Sequence, residues 1–185
     1  TKGIGFKEGK HIEGIKIDFI DVRRAYFHAK ARGRVFVKLP AEDPAPGMCG
    51  LLNKSMYGTR DATQNWECEY AEFLVECGLK RGIAAPCIFT DKDCKIRMAV
   101  HGDDFAVLGH AKDLDWFRQK ISQKFEVKFR GRIGPGAKYD KAIKLLNRIF
   151  EWTSEGITIE ADKRHAEIII KDLQLEEGSK SVTTP

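Results

Sequence analysis

Residues 96–108 read IRMAVHGDDFAVL, two short apolar segments on either side of a polar centre. Apolar segments of this length around a glycine-containing centre predict two β-strands folded into a hairpin. The tip of that hairpin carries two adjacent carboxylates, Asp103 and Asp104. Asp is common in turns because its side chain hydrogen-bonds the nearby backbone, so an isolated Gly-Asp-Asp also fits an ordinary turn.

A third carboxylate follows another strand pattern near the start of the chain. Residues 15–19 alternate between apolar and charged side chains, and Asp21 comes directly after Ile20. This pattern predicts a buried strand that ends in a carboxylate. In-line phosphoryl transfer uses two divalent metal ions, and Mg²⁺ prefers a few carboxylate ligands together with substrate phosphates. Asp21, Asp103 and Asp104 are therefore candidate ligands for such a pair of ions.

Amphipathic helices are predicted on both sides of the hairpin. The first begins at a capping box made by Asp61 and Gln64 and ends at Gly78. Apolar residues at helical spacing predict a second helix over residues 114–125, and a third is predicted over about residues 162–173. The aromatic residues of the first helix share one stripe, which predicts a place in the core: Trp66, Tyr70 and Phe73.

Further strands complete the predicted fold. Strand patterns occupy residues 34–39 and 125–129, and a second hairpin is predicted from residues 149–152 and 157–159. Residues 131–136, GRIGPG, predict a loop and lack the Lys-Ser/Thr of a phosphate-binding P-loop. This order of elements predicts an α+β fold with an antiparallel sheet and helices packed on one face.

The composition agrees with one globular domain. A chain of 185 residues can bury one substantial core, and its apolar runs are too short to cross a bilayer. Five cysteines without CxxC spacing argue against a disulfide framework or a zinc finger and favour a reducing, intracellular setting. The net charge of +5 is compatible with a polyanionic partner without requiring one. Neither end has the features of a natural terminus, so we expect a piece of a longer chain.

The segments around the carboxylates resemble, in order and spacing, the palm motifs of copia-type retrotransposon reverse transcriptases. The resemblance covers nearly the whole chain, and it departs at residues 101–102, where the family usually has Tyr followed by an aliphatic residue. The matching segments are DVRRAYF (21–27), VFVKLP (35–40), LNKSMYGTRDA (52–62), LKRGIAAPCIF (79–89), the Asp103-Asp104 pair and FEVK (125–128).

The resemblance implies a single reverse-transcriptase domain over residues 1–185. The palm would occupy about residues 12–130, and the end of the palm with the start of the thumb would occupy about residues 131–185. Nothing before Asp21 resembles the long basic finger region of the family. We therefore expect fingers that are truncated on the N-terminal side.

The resemblance also implies roles for individual residues. Asp21, Asp103 and Asp104 would be catalytic and would hold two Mg²⁺ ions, or Mn²⁺, with help from the backbone of Val22. Tyr26 would be the gate that senses the 2′-hydroxyl of the sugar. The implied nucleotide-binding set is Arg23, Arg24, Tyr26, Gly58 and Lys128, and the implied support of the primer end is His101 and Gly102.

The activity implied is RNA-directed DNA polymerisation by a retrotransposon Pol polyprotein. Its partners would be an RNA or DNA template with a primer and deoxynucleoside triphosphates, with no membrane partner. The setting would be intracellular, either cytoplasmic in a virus-like particle or nuclear. The oligomeric state is left open.

Other interpretations stay open from the sequence alone. The missing fingers favour an inactive or truncated palm that acts only in nucleic-acid binding, and another two-metal palm enzyme, such as a nucleotide cyclase, shares the carboxylates but not the extended resemblance. Tyr26 also fits a core aromatic, and His101 fits a structural or exposed histidine. Four basic residues fit either contacts with a phosphate backbone or a triphosphate, or a solvated face: Lys124, Lys128, Arg130 and Arg132.

Overall fold

The computed structural model describes residues 14–43, 47–93, 95–161, 164–175 and 178–179. The chain forms two compact units, residues 1–140 and residues 141–185. The sequence predictions that concern the two chain ends and residues 162–163 lie outside the described residues. The limits of palm and thumb stay predictions.

The first unit is built on one antiparallel sheet of six strands. In chain order, the elements are β1 (Lys16–Val22), α1 (Ala25–His28), β2 (Phe36–Lys38), β3 (Cys49–Leu51), α2 (Ala62–Glu76), β4 (Leu79–Arg81), β5 (Ile88–Asp91), β6 (Ile96–His101), β7 (Asp104–Gly109), α3 (Ala111–Lys124) and β8 (Val127–Ile133). The strand order in the sheet is β4-β5-β6-β7-β1-β8. A separate ribbon pairs β2 with β3.

The core lies between one face of this sheet and the helices α2 and α3. Ile20 and Val22 of β1 are fully buried there, as are Phe105 and Val107 of β7. Because side chains alternate along a strand, Asp21 and Asp104 point to the opposite face. We call the two faces the helix face and the carboxylate face. The helices contribute Trp66, Tyr70, Phe73, Leu74, Leu114, Phe117 and Ile121 to the core.

The structure confirms the α+β class, the antiparallel sheet and the hairpin of residues 96–108, which is β6 and β7. Burial of each large apolar side chain contributes roughly 1.5–3 kcal/mol. The alternating pattern of β6, with Ile96, Met98 and Val100 buried, therefore fixes which face of the hairpin meets the helices.

The predicted capping box at the start of α2 is wrong, although the helix itself is confirmed. Asp61 takes a helical backbone conformation, with φ −98° and ψ −2°, and its side chain makes no cap hydrogen bond. An N-cap side chain reaches the free N–H groups from an extended backbone, which Asp61 lacks. Its Oδ2 instead accepts a hydrogen bond from Asn65 Nδ2 at 2.9 Å.

The predicted loop at residues 131–136 begins too early. Residues 131–133 continue β8 and pair with β1, Gly131 opposite Phe19 and Ile133 opposite Ile17. The register shifts between Phe19 and Ile20, where β8 contains one extra residue. Pairing with a distant strand therefore overrides the local turn signal of the glycines. Similarly, β1 does not end at Asp21 but continues to Val22.

The second unit contains a three-stranded antiparallel sheet and a helix. The strands are β9 (Ala142–Leu145), β10 (Arg148–Trp152) and β11 (Ile157–Ala161), and the helix is α4 (Arg164–Asp172). This confirms the predicted second hairpin, β10 and β11, and adds β9, which pairs with β10. Leu146 and Asn147 both have positive φ, as a two-residue hairpin turn of type I′ requires. Among the described residues, no helix is long and apolar enough to span a membrane.

Candidate active site

Two of the three candidate carboxylates face each other across neighbouring strands. Asp21 of β1 and Asp104 of β7 are direct partners in the antiparallel register. Side chains of such partners lie with their Cβ atoms about 4.5–5.5 Å apart on one face of the sheet. The Asp21 side chain is 20% exposed and that of Asp104 is 9% exposed. The register therefore brings together two carboxylates that are 83 residues apart in sequence.

The third carboxylate, Asp103, lies exposed at the tip of the hairpin. The backbone N–H of Val22 donates to the carbonyl of Asp103 at 2.9 Å. This bond fastens the hairpin tip to the end of β1. It places the Val22 backbone next to the tip that carries Asp103.

Helix α2 also holds the hairpin tip. The indole Nε1–H of Trp66 donates to the carbonyl of Gly102 at 2.8 Å, and Gly102 has φ +62°. The core position predicted for Trp66 is confirmed, with 1% of the residue exposed. This contact with the tip was not predicted from the sequence. The available signal was that a buried Trp usually finds a partner for its N–H group.

A guanidinium lies between the two facing carboxylates. The Nη2 of Arg130, on β8, is 2.5 Å from Asp21 Oδ1 and 3.0 Å from Asp104 Oδ1. One nitrogen therefore contacts both side chains. Neither interpretation of Arg130 from the sequence, phosphate contact or solvated face, includes this position, because nothing local shows which strand β8 pairs with.

The charge at Asp104 is incompletely satisfied. Burial raises the pKa of Asp104, Arg130 opposes that rise, and the charges of Asp103 and Asp21 add to it. Arg130 Nη2 lies at ion-pair distance from Asp104 Oδ1 but is not oriented to donate a hydrogen bond to it. Among the described residues, this Oδ1 is a buried oxygen without a hydrogen-bond donor.

The carboxylates suit a divalent cation, although they do not form a complete ligand set. Within the described ranges, no three His, Cys, Asp or Glu side chains are gathered into a group that could hold a metal ion. Asp104 nevertheless offers a buried oxygen without a donor, next to the carboxylate of Asp21. Arg130 supplies a nearby positive charge, which offsets only part of the cost of burying this carboxylate. Mg²⁺ and Mn²⁺ favour such oxygen ligands.

The residues predicted to bind the nucleotide lie in two places. Lys128 is the partner of Asp21 on β8, so Asp21 lies between Asp104 and Lys128 in the sheet. Tyr26 of α1 is half-buried, and its hydroxyl is 3.2 Å from Thr63 Oγ1. Its ring centre is 4.4 Å from that of Tyr57. Gly58 follows Tyr57 with φ +86°, a conformation that glycine adopts without steric cost.

The two arginines that follow β1 are engaged with Glu126. Arg24 donates to Glu126 Oε2, and Arg23 Nη1 is 3.5 Å from Oε1. The hydrogen bond from Arg24 is the main cause of a lowered pKa of Glu126. The Arg23 backbone N–H also donates to the Glu126 carbonyl at 2.8 Å. These contacts join the end of β1 to the segment that precedes β8.

A family model described as reverse transcriptase (RNA-dependent DNA polymerase) matches residues 11–185. The chain belongs to this reverse transcriptase family. It is also similar to the Retrovirus-related Pol polyprotein from transposon TNT 1-94 of Nicotiana tabacum, with 22% identity over 178 residues. That match covers 92% of this chain and 13% of the relative, so the chain spans a small part of that polyprotein's length. The resemblance to retrotransposon reverse transcriptases is confirmed.

Most of the predicted site residues lie near one end of the six-stranded sheet. Asp21, Asp104 and Lys128 meet through strand register, and His101 is the partner of Asp104 on β6. The carbonyl groups of Gly102 and Asp103 are tied to α2 and β1. The roles predicted for these residues stay predictions.

Proposed function

We propose that this reverse transcriptase chain adds deoxynucleotides to a primer 3′-hydroxyl on an RNA or DNA template. The observation that carries the proposal is the direct pairing of Asp21 with Asp104, next to Asp103 at the hairpin tip. Asp21, Asp103 and Asp104, with the backbone of Val22, would hold two Mg²⁺ or Mn²⁺ ions. Such ions, when bound, activate the attacking hydroxyl and neutralise the charge of the leaving pyrophosphate.

The remaining residues would bind and orient the substrates. Lys128, exposed beside Asp21, would contact the triphosphate. Tyr26 would pack beside the sugar, and its contacts with Thr63 and Tyr57 limit how far the ring can withdraw. A fixed ring at that place supports the proposed exclusion of a 2′-hydroxyl. An intracellular setting, cytoplasmic or nuclear, belongs to the same proposal.

Primer extension on poly(rA)/oligo(dT) with Mg²⁺, and then with Mn²⁺, tests the proposal. We expect Asp21→Asn to lower the extension rate by at least about 100-fold, because it removes a carboxylate from the reacting centre. Asp93→Asn is the matched control, since Asp93 is exposed and pairs with Lys95 away from the site. Equal extension by wild type and Asp21→Asn would contradict the role of Asp21.

A second function is a palm that binds nucleic acid without catalysis. The ion pairs of Arg130 with Asp21 and Asp104 favour it, because a cation already occupies these carboxylates. This function predicts affinity for a primer-template that falls steeply with salt concentration. It also predicts no extension with either metal ion.

A further inference from the structure

The position of Arg130 follows from the irregularity in β8. Phe129 is the partner of Ile20 and Gly131 is the partner of Phe19, so Arg130 is the extra residue between two paired ones. In a regular strand, residues 130 and 132 would point to the same face. Here Arg130 contacts Asp21 on the carboxylate face, whereas Arg132 contacts Asp18 on the helix face.

The two arginines differ in how firmly they are held. The Arg132 side chain is 12% exposed and contacts both Asp18 and Asp115. The Arg130 side chain is 35% exposed, and a single nitrogen makes its contacts with Asp21 and Asp104. Arg130 can therefore turn towards solvent without breaking a core contact, but Arg132 cannot.

We propose that Arg130 is a resident counter-ion that positions Asp21 and Asp104 and competes with divalent cations for their oxygens. The proposal rests on the proposed function, because it assigns these carboxylates to metal binding. Without a divalent cation, Arg130 offsets the repulsion between the facing carboxylates. A divalent cation held by Asp21 and Asp104 would take over that role, and Arg130 would then turn towards solvent.

Mn²⁺ titration without primer, template or nucleotide tests this competition by calorimetry. We expect Arg130→Gln to bind Mn²⁺ about tenfold more tightly than wild type, which corresponds to about 1.4 kcal/mol. Thermal unfolding in EDTA should show a lower melting temperature for Arg130→Gln than for wild type, and Mn²⁺ should reverse that loss. Arg97→Gln removes the same charge from an exposed position on β6, and it should change neither quantity.

An affinity of Arg130→Gln equal to or below that of wild type would overturn the proposal. If Arg130→Gln does not fold, Arg130→Met replaces it, since methionine keeps an unbranched apolar stem without the charge. Tighter Mn²⁺ binding by Arg130→Met then supports the competition, and unchanged binding overturns it. Because extension is measured separately, loss of the proposed polymerase activity and loss of this competition are distinguishable.

Discussion

Asp18 and Asp21 lie three residues apart in β1, and their surroundings differ completely. Asp18 is on the helix face with a side chain 1% exposed, and it accepts hydrogen bonds from two guanidiniums. Arg118 contacts it at 2.7 and 3.1 Å, and Arg132 at 2.5 and 2.8 Å. Asp21, on the carboxylate face, shares one guanidinium nitrogen with Asp104.

This difference in surroundings makes Asp18 a structural carboxylate and leaves Asp21 able to bind a ligand. Both oxygens of Asp18 are engaged by two cations, so no capacity is left for a substrate or a metal ion. Around Asp21, two facing carboxylates share Arg130, and the Oδ1 of Asp104 has no hydrogen-bond donor among the described residues. A further cation is therefore more strongly favoured beside Asp21 and Asp104 than beside Asp18.

Breaking the Asp18 cluster should have the largest effect on stability. Asp18→Asn removes the charge that Arg118 and Arg132 share, and it leaves Arg132 nearly buried beside the exposed Asp115. Removing one partner of a buried ion pair costs about 3–5 kcal/mol. Urea unfolding measures this loss against Asp93→Asn, and a loss below about 1 kcal/mol would show that Asp18 is not structural.

Changing Trp66 tests whether the core positions the carboxylate face. Trp66→Phe keeps an aromatic ring in the core but leaves the Gly102 carbonyl without its donor. We expect a loss of about 1–3 kcal/mol in the free energy of unfolding. We also expect slower extension with an unchanged KM for the nucleotide, because the hairpin tip carries Asp103. An extension rate equal to that of wild type would show that the hydrogen bond from Trp66 to Gly102 does not position the hairpin tip for catalysis.

Alkaline titration gives the smallest expected effect and concerns the core alone. Burial raises the pKa of Tyr70 to about 12. The unfolded value is about 10, so the neutral phenol stabilises the fold fully below pH 10 and progressively less as pH rises from about 10 to 12. At about pH 10.5 the loss should be about 1 kcal/mol. Tyr70→Phe should remove that part of the pH dependence, and an unchanged profile would contradict the assignment.

Local patterns in the sequence predict the elements that carry the carboxylates. The alternation before Asp21, the Gly-Asp-Asp tip and the helical spacing after Asp61 reflect short-range geometry, and the structure confirms these elements. The same segments predict the α+β class and the resemblance to reverse transcriptases, and the family match confirms that resemblance.

Features that depend on distant pairing could not be predicted from those patterns. The opposite faces of Arg130 and Arg132 depend on one extra residue in a strand that pairs with β1 more than 100 residues earlier. The contact of Trp66 with Gly102 joins α2 to a turn 36 residues later. The predicted cap at Asp61 is wrong because the residue type does not determine the backbone conformation at that position. That conformation depends on the turn that precedes the helix.

Primer extension and urea unfolding, run together on Asp18→Asn and Asp21→Asn, test the central claim most directly. We predict that Asp21→Asn keeps the wild-type free energy of unfolding within about 1 kcal/mol and loses extension. We predict that Asp18→Asn loses stability and, where it is folded, still extends the primer. An Asp21→Asn protein that is folded and extends at the wild-type rate would contradict the division of β1 into a structural and a functional face.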